Sequence, residues 1–254
     1  MAAGETQVRV AADLAALGLP RGAAVLVHSS LKSLGPLPGG AEAVIRGFLD
    51  ALGPDGTLLF PALSYAHCDA AHPLFDVLRT PSNVGALPEY FRRRSGTLRS
   101  VNPTHSVCGI GAQAARLLKD HLLDNTPAGA HSPYRLLREV DGFVLFLGCG
   151  LEPNTSMHAV EELVSPPYLF GEMVTYTVIL ADGKEIQRPC RRHNFAGYKQ
   201  RYDRIAPLLS DGGLRTGKVL QAGVHLLRCR PMWERALEAL QRDPLYFVES
   251  TGRA

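Results

Sequence analysis

The chain of 254 residues has no strong charge of either sign, no long apolar run and no paired cysteine motif. No segment approaches the roughly 18 apolar residues of a membrane span, and the N-terminal segment lacks the apolar core of a secretion signal. We therefore expect a cytoplasmic protein that does not use a membrane as a partner. The net charge is +3 and the basic residues are dispersed, so nucleic acid is not an expected partner either.

The five cysteines are odd in number, widely spaced and without a Cys-x-x-Cys pair. We expect them to be reduced thiols and not a disulfide framework. Metal-binding side chains come close together between His67 and His72, where Cys68 and Asp69 also lie. Their spacing matches no standard zinc pattern, and a surface loop is the favoured interpretation. We predict that the protein binds no metal.

Helix and strand patterns alternate along the first part of the chain. Amphipathic segments with turn residues at their ends predict helices, and short apolar runs predict strands. The predicted elements are a helix over Thr6–Leu17, a strand over Ala24–Val27, a helix over Ala41–Leu52 and a strand over Thr57–Phe60. This alternation, with a hydrophobic content of 46% to fill a core, predicts a layered α/β/α fold around a central mixed sheet.

The pattern changes after Tyr168, where alternating residues replace the short apolar runs. The predicted elements are strands over Met173–Leu180 and Glu185–Pro189 joined by a hairpin turn, a helix over Phe195–Leu209, and a last helix over Trp233–Gln241. We expect residues 169–254 to form a smaller antiparallel α+β part. This part is predicted to pack on residues 1–168, so that the chain forms one domain.

The stretch from Phe143 to Tyr168 is the strongest candidate for a functional site. Phe143–Leu147 predicts a buried strand, and Asn154, Thr155 or Ser156 can cap the helix that follows. A polar cap just beyond a central strand is a common place for a site in an α/β sheet.

His158 and Glu161 are three positions apart, so they share one face of that helix. A carboxylate orients an imidazole and stabilises its charged form, which suits proton transfer near neutral pH. The same pair would also suit a solvated ion pair on a helix surface. The strand, the glycines and the cap around the pair favour a functional role.

A second loop rich in small residues follows the first predicted strand, over Ser29–Gly40. Backbone N–H groups of such a loop can bind an anion or a carbonyl oxygen, and Lys32 adds a cation. The loop is neither a Walker loop nor a dinucleotide-binding loop, and a plain connection is an equal alternative. A third polar segment, Arg99–Val107, is predicted to be extended because Pro103 disfavours helical geometry at Asn102.

Together these segments resemble a known family, the aminoglycoside 3-N-acetyltransferases of the antibiotic N-acetyltransferase type, which are distinct from the GNAT acetyltransferases. The motifs that carry the resemblance are VHSSLKSLG with the following PGG, RSVNPTHSV, SPY before a helix, and LFLGCGLEPNTSMHAVEE. The resemblance implies direct transfer of acetyl from acetyl-CoA to the 3-amino group of a 2-deoxystreptamine antibiotic. We expect the protein to be a monomer or a homodimer.

The resemblance also implies roles for particular residues. The catalytic group is His158 as general base with Glu161 beside it, and Thr155 is a candidate donor to the oxyanion. The expected coenzyme A contacts are Ser29, Ser30, Leu31, Lys32, Ser33, Leu34, Arg99, Ser100, Ser106 and Val107. The candidate acceptor contacts are His105, Asn154, Glu162 and His193, and His28 is a further histidine without an assigned role. Direct transfer requires no cysteine nucleophile, so we interpret Cys149 as packing.

Two departures from the family pattern concern the acceptor. Many members have His-Pro where this chain has Asn102-Pro103, and several have Glu-Gly-Ser-Pro where it has Ala-His-Ser-Pro, ending at Pro133. Aminoglycosides are polycations whose sites need carboxylates. The candidate replacements are Asp69, Asp76, Glu152 and Glu162.

Three other functions therefore stay open. The first is the same acetyl transfer to an amine that is not an aminoglycoside. The second is a metal-dependent hydrolase that uses His67, His72 and His158. The third is a coenzyme A-binding module without catalysis.

Overall fold

A computed structural model describes residues 2–210 and 212–252. The helices α1 to α7 span Ala3–Leu17, Gly40–Leu52, Ala86–Arg93, Ala114–Leu118, Pro133–Glu139, Ser156–Val164 and Cys229–Arg242. The strands β1 to β12 span Ala24–Ser29, Thr57–Pro61, Leu74–Asp76, Leu98–Arg99, Val107–Gly111, Phe143–Leu147, Phe170–Ile179, Glu185–His193, Tyr198–Gln200, Leu214–Val219, Ala222–Arg228 and Val248–Ser250. Short 3-10 helices cover Leu31–Leu34, His121–Leu123 and Tyr202–Leu208.

A seven-stranded mixed sheet in the order β10-β11-β6-β1-β2-β5-β4 forms the centre of the fold. Strand β1 pairs in parallel with both β6 and β2, and the outer strands are antiparallel. The parallel register aligns Ser29 with Leu147. The segments that follow β1 and β6 therefore leave the sheet at the same edge.

Alternating residues of the central strands face two separate cores. In β1, Leu26 belongs to the core beneath α5, α6 and α7, and Val27 belongs to the core beneath α1 and α2. Phe146 and Leu147 of β6 divide in the same way. Side chains of a strand point alternately to its two faces, so short, wholly apolar strands produce an α/β/α arrangement. The predicted layered fold with a central mixed sheet is confirmed.

The second half of the chain contributes to the large sheet as well as to smaller ones. The β10–β11 hairpin extends the large sheet by pairing with β6. Strands β7 and β8 form the predicted antiparallel hairpin. Strand β3, in a segment that showed no regular sequence pattern, joins this hairpin in parallel with β7. Strands β9 and β12 form a separate antiparallel pair.

The helix predicted over Phe195–Leu209 is wrong. This segment instead contains β9 followed by the 3-10 helix Tyr202–Leu208. Phe195 and Gly197 have φ angles of 50° and 77°, which an α-helix does not allow. Pro207 lies inside the 3-10 helix and has no N–H to donate to a longer helix. Over residues 2–210 and 212–252, no helix is both long enough and apolar enough to cross a membrane.

Candidate active site

A cavity of about 770 Å³ opens at the sheet edge where β1 and β6 end. We call one side the sheet wall, which consists of His28, Ser29, Thr155 and His158 from β1 and the start of α6. A second part of the lining, the hairpin wall, consists of Arg192, His193, Lys199 and Tyr202 from β8, β9 and the 3-10 helix that follows. His105 lines the cavity as well. The volume is in the range of small-molecule binding sites.

Glu161 is fully buried behind His158 and receives three hydrogen bonds. The hydroxyl of Tyr168 donates to Oε1 at 2.7 Å, and the hydroxyl of Tyr202 donates to Oε2 at 2.7 Å. Nδ1 of His158 lies 3.1 Å from the same Oε2. Because a carboxylate only accepts, Nδ1 carries the proton in this pair. The lone pair of His158 is then on Nε2, on the other side of a ring that lines the cavity.

The hydroxyls of the two tyrosines act as permanent hydrogen-bond donors to Glu161. Burial, followed by the charge of Glu161, raises the pKa of Tyr202 well above its usual value and raises the pKa of Tyr168 as well. Both hydroxyls therefore stay protonated and act as donors near neutral pH. A buried carboxylate requires such donors to remain stable. Tyr202 is also 3.1 Å from Nδ1 of His158, so it positions the imidazole too.

Glu162, next to Glu161 in sequence, holds a second imidazole. Its carboxylate accepts from Thr126 at 2.6 Å, from the backbone N–H of Ala128 at 2.8 Å and from Nε2 of His193 at 2.9 Å. Burial raises the pKa of Glu162, and the hydrogen bonds from Thr126 and Ala128 oppose this shift. Glu162 lies outside the cavity lining and supports His193, and its predicted contact with the acceptor stays a prediction.

His105 and His193 lie against His158 in a compact group of three rings. The ring centroids are 4.9 Å apart for His158 and His193, 5.3 Å for His105 and His193, and 5.5 Å for His105 and His158. Burial lowers the pKa of His105 and of His193 well below the usual value, so both rings are neutral at pH 7. The sequence analysis named both residues as acceptor contacts, and both line the cavity.

Thr155 and His28 form the part of the sheet wall nearest the end of β1. The hydroxyl oxygen of Thr155 lies 3.4 Å from Nε2 of His28 and makes no capping bond to the helix that it precedes. Burial, helped by His158, lowers the pKa of His28 to about 3. The His28 ring stacks on Phe146 with centroids 5.0 Å apart. The Thr155 hydroxyl thus lies beside a neutral imidazole and makes a further hydrogen bond with Tyr134.

The predicted coenzyme A loop, Ser29–Leu34, is hydrogen-bonded to the end of β6. The N–H of Ser30 donates to the carbonyl of Leu147 at 2.8 Å. Gly148 has a φ of 67°, and a Cβ there would lie 1.6 Å from the hydroxyl oxygen of Ser33. Glycine is therefore required for the close approach of the two loops. Among the six predicted contacts in this loop only Ser29 lines the cavity, and Leu34 is buried in the core.

The predicted coenzyme A contacts in the Arg99–Val107 segment point into the protein. Arg99 donates to the carbonyls of Ala62, Val77 and Thr80 and to the hydroxyl of Ser106. Ser100, Ser106 and Val107 are at most 1% exposed. None of the four lines the cavity. Contact between these side chains and coenzyme A stays a prediction, and in this structure the segment places His105 in the cavity lining.

Asn154 and Cys149 both lie in the connection between β6 and α6. Asn154 is fully buried and donates to the sulfur of Met232 at 3.3 Å, and its contact with the acceptor stays a prediction. Cys149 lines the cavity, but burial raises the pKa of its thiol to about 11. A thiol with so high a pKa is a poor nucleophile, which agrees with its predicted role in packing.

The alternative metal site of His67, His72 and His158 does not form. His67 and His72 are exposed, and His72 is 3.5 Å from Asp69 in a surface ion pair. In the described part of the chain, the one group of three side chains with the spacing of a metal site is His105, His158 and His193. The sequence analysis considered each of these histidines separately and did not predict that they meet.

The charge of the cavity and the tyrosines behind it were not predicted from the sequence. Arg192 and Lys199 line the cavity, whereas no Asp or Glu does so among the described residues. Asp69, Asp76 and Glu152, which were candidates for acceptor binding, lie outside the lining. Tyr168 ends the stretch that was singled out, so its position was a usable signal. Tyr202 had none, because it lay in a segment predicted to be a plain helix.

The family model "Aminoglycoside 3-N-acetyltransferase" matches residues 26–241. Aminoglycoside N(3)-acetyltransferase VII of Streptomyces paromomycinus is 37% identical over 201 residues, which cover 72% of this chain and 69% of that protein.

Two solved structures share the fold over nearly the whole chain. A histidine-to-alanine mutant of aminoglycoside acetyltransferase AAC(3)-IVa in complex with gentamicin has a TM-score of 0.82 at 31% identity, and the match covers 95% of this chain and 90% of that one. The binary complex of AAC-IIIb with CoASH has a TM-score of 0.82 at 29% identity, with 98% of each chain covered.

Proposed function

Because the chain belongs to the aminoglycoside 3-N-acetyltransferase family and is therefore an acetyl-CoA-dependent acyltransferase, we propose that it acetylates the 3-amino group of a 2-deoxystreptamine aminoglycoside. His158 is the general base in this proposal. The observation that carries it is the buried Glu161, which with Tyr202 holds Nδ1 of His158 and leaves Nε2 to accept a proton in the cavity. The gentamicin complex of the related AAC(3)-IVa supports the acceptor class.

The reaction proceeds by direct transfer in this scheme. An aminoglycoside amine is mostly protonated at pH 7 and must lose a proton before it attacks. That first proton is released to solvent, and Nε2 of His158 takes a second proton from the neutral amine as its nitrogen attacks the thioester carbonyl. The imidazolium that forms is stabilised by the buried Glu161 carboxylate, which is already held by two tyrosine hydroxyls. The tetrahedral intermediate then collapses, the C–S bond breaks, and His158 returns a proton to the departing coenzyme A thiolate.

Negative charge develops on the carbonyl oxygen during the attack. The Thr155 hydroxyl, which lines the cavity and makes no cap to α6, is assigned as a donor to that oxygen. Loss of one such donor typically costs about 10²–10³-fold in rate. Thr155→Val keeps the shape of the side chain and removes the donor, so it isolates this contribution.

Thiol release from acetyl-CoA tests the proposal. The purified protein is incubated with acetyl-CoA and gentamicin, apramycin or kanamycin, and the product is examined by NMR for the position of the acetyl group. We expect release with at least one compound and acetylation at the 3-amino group. His158→Ala should lower kcat by about 10²–10⁴-fold with acetyl-CoA binding retained. His67→Ala changes an exposed histidine outside the cavity and is the matched control. Full activity in His158→Ala would show that the assigned base is wrong.

A second candidate function is acetylation of an amine that is not a polycation. The observation that favours it is the charge of the cavity, which has Arg192 and Lys199 but no Asp or Glu among its described lining residues. A polycation binds poorly to such a surface. Turnover of amines that carry a carboxylate or phosphate, with none of any aminoglycoside, would establish this function in place of the first. In the first function the two cations instead serve the phosphates of coenzyme A.

A further inference from the structure

The three histidine rings in the cavity bring their acceptor nitrogens together. One ring nitrogen of His105, of His158 and of His193 lies within 4.8 Å of the other two. Hydrogen bonds to the two glutamates occupy one nitrogen of His158 and one nitrogen of His193. Nδ1 of His158 donates to Glu161, and Nε2 of His193 donates to Glu162. The lone pairs that remain are on Nε2 of His158 and Nδ1 of His193.

The third ring, that of His105, is oriented by a hydrogen bond with the hydroxyl group of Thr104. Nδ1 of His105 lies 2.9 Å from the hydroxyl oxygen of Thr104, which in turn lies 3.5 Å from the side-chain oxygen of Asn102. If the hydroxyl donates to Asn102, it accepts from Nδ1 of His105, and Nε2 of His105 keeps its lone pair. All three rings then direct a lone pair toward the space between them.

For His193, the described part of the protein provides no hydrogen-bond donor to the lone pair on Nδ1. Its Nδ1 is buried and has no hydrogen-bond partner among the residues that the structure describes, and its side chain is 4% exposed. A buried polar atom without a partner is unfavourable because it has lost its hydrogen bonds to water. Such an atom indicates that a ligand completes the group.

We propose that His105, His158 and His193 form a binding site for a divalent transition-metal ion such as Zn²⁺, and that the bound ion inhibits acetyl transfer. Imidazole nitrogens favour zinc, copper, nickel and cobalt over magnesium or calcium. Three histidines with a fourth, open position are a known arrangement for zinc. Metal-binding histidines usually donate their other ring N–H to a carboxylate or carbonyl, and Glu161 and Glu162 occupy those positions here.

The distances require only a small adjustment of the rings. Zinc–nitrogen bonds of about 2.0–2.1 Å place tetrahedral ligand nitrogens about 3.3 Å apart. The nitrogens, which lie within 4.8 Å of one another, therefore have to approach by at most about 1.5 Å. The rings line an open cavity, so the ion has an entry path.

The inhibitory effect rests on the proposed function, whereas metal binding does not. The ion takes the Nε2 lone pair of His158 and fills the space in which the acceptor amine has to sit. His158 can then no longer remove a proton, and inhibition is expected to be competitive with the acceptor.

The site is tested with Co²⁺ and Zn²⁺ on the full chain after treatment with EDTA. Four- or five-coordinate Co²⁺ absorbs visible light far more strongly than octahedral Co²⁺, so the spectrum reports the coordination without any need for turnover. We expect one equivalent of Co²⁺ with the strong spectrum, displaced by Zn²⁺. The Zn²⁺ concentration for half-inhibition of acetyl transfer should match the dissociation constant, and EDTA should restore activity.

Variants separate this site from chance binding at the surface. His105→Gln and His193→Gln should each weaken Co²⁺ binding by more than the about 10–100-fold that is typical of losing a second-shell partner. In the matched control, the exposed His67 and His72 are both changed to Gln. This variant should still bind one equivalent of Co²⁺ tightly. Thermal unfolding and acetyl-CoA binding confirm that each variant is folded.

The results that overturn the proposal are distinct from a failure of the proposed function. Absence of saturable Co²⁺ binding, an octahedral spectrum, or tight binding that persists in both cavity variants would show that the three histidines are not a metal site. Tight binding with undiminished acetyl transfer would overturn the inhibitory role. If no acceptor is turned over at all, the Co²⁺ spectrum still decides whether the site exists.

Discussion

The two walls of the cavity differ in origin and in charge. The sheet wall comes from the ends of two adjacent parallel strands and from the helix that follows one of them, so a few local segments place it. The hairpin wall comes from residues 192–202 and depends on the pairing of β8 with β7 and of β9 with β12. The first wall holds the proposed base, and the second carries Arg192 and Lys199. Proton transfer and charge selection are thus assigned to different parts of the chain.

Each wall nevertheless presents an imidazole backed by a buried glutamate. Glu161 and Glu162 are neighbours on α6, and successive residues of a helix point about 100° apart. One carboxylate therefore supports His158 in the sheet wall, and the other supports His193 in the hairpin wall. The two pairs are chemically alike, so exchanging one carboxylate at a time shows which imidazole the reaction depends on.

The largest difference is expected between Glu161→Gln and Glu162→Gln. A neutral amide behind His158 stabilises the imidazolium less than a carboxylate does, and it leaves a buried tyrosine or imidazole donor without an acceptor. We expect Glu161→Gln to lower kcat by about 10–100-fold, the typical effect of losing a second-shell partner. Glu162→Gln should lower kcat by clearly less. Steady-state kinetics at saturating acetyl-CoA measures both.

A KM-against-kcat split distinguishes positioning from general damage to the fold. Glu161→Gln should act on kcat with little change in the KM for acetyl-CoA, and its thermal unfolding should remain cooperative. Equal losses of kcat in Glu161→Gln and Glu162→Gln would contradict the assignment of proton transfer to the sheet wall alone.

The second prediction concerns the stability of the protein at low pH, to which a buried histidine in each wall contributes. Burial lowers the pKa of His28 to about 3 and lowers that of His193 well below 6.5. Between pH 6.5 and those lower values, the unfolded chain binds protons that the folded chain does not. The free energy of unfolding should therefore fall as pH drops below 6.5, by about 1.4 kcal/mol per pH unit for each such histidine.

Denaturant unfolding at pH 7 and pH 5 measures this loss. His28→Gln removes one of the titrating groups from the sheet wall, so the difference between the two pH values should shrink by about 2 kcal/mol. The exposed His67, changed to Gln, should leave the difference unaltered. A wild-type protein that is equally stable at both values would contradict the assignment of neutral buried rings.

The third prediction compares the two tyrosines that donate to Glu161. Tyr168 contacts Oε1 of Glu161 alone, whereas Tyr202 contacts Oε2 and also lies 3.1 Å from Nδ1 of His158. Each Tyr→Phe change removes a hydrogen bond to a charged group, which contributes about 1.5–3 kcal/mol to stability. We expect similar losses in the free energy of unfolding, but a larger loss of kcat for Tyr202→Phe. Equal kcat values in the two variants would exclude a positioning role for Tyr202.

The sheet wall could be predicted because its signals are local. The apolar run Phe143–Leu147 is a strand with those bounds, and the helix that follows carries His158 and Glu161 on one face. Periodicity, glycines and caps act within a few residues of one another. The fold class depends on the same kind of signal, so it was accessible too.

The hairpin wall could not be predicted in this way. Tyr202 and Lys199 reach the cavity because β9 pairs with β12, about fifty residues further along the chain, and no local pattern encodes such a pairing. The same reason applies to the orientation of Arg99. Its segment matched a family motif, but the distant backbone carbonyls of Ala62, Val77 and Thr80 determine where its guanidinium points.

The smallest effects are expected from the cations of the hairpin wall. If Arg192 and Lys199 attract the phosphates of coenzyme A, then Arg192→Gln should raise the KM for acetyl-CoA by about 1.4- to 5-fold, the range of a partly exposed ion pair of about 0.2–1 kcal/mol. The effect should fade in high salt because exposed charges are screened. The same change should lower the KM for a polycationic acceptor by removing repulsion. An unchanged KM for acetyl-CoA with a raised KM for an anionic amine would instead assign this wall to the acceptor and favour the second candidate function.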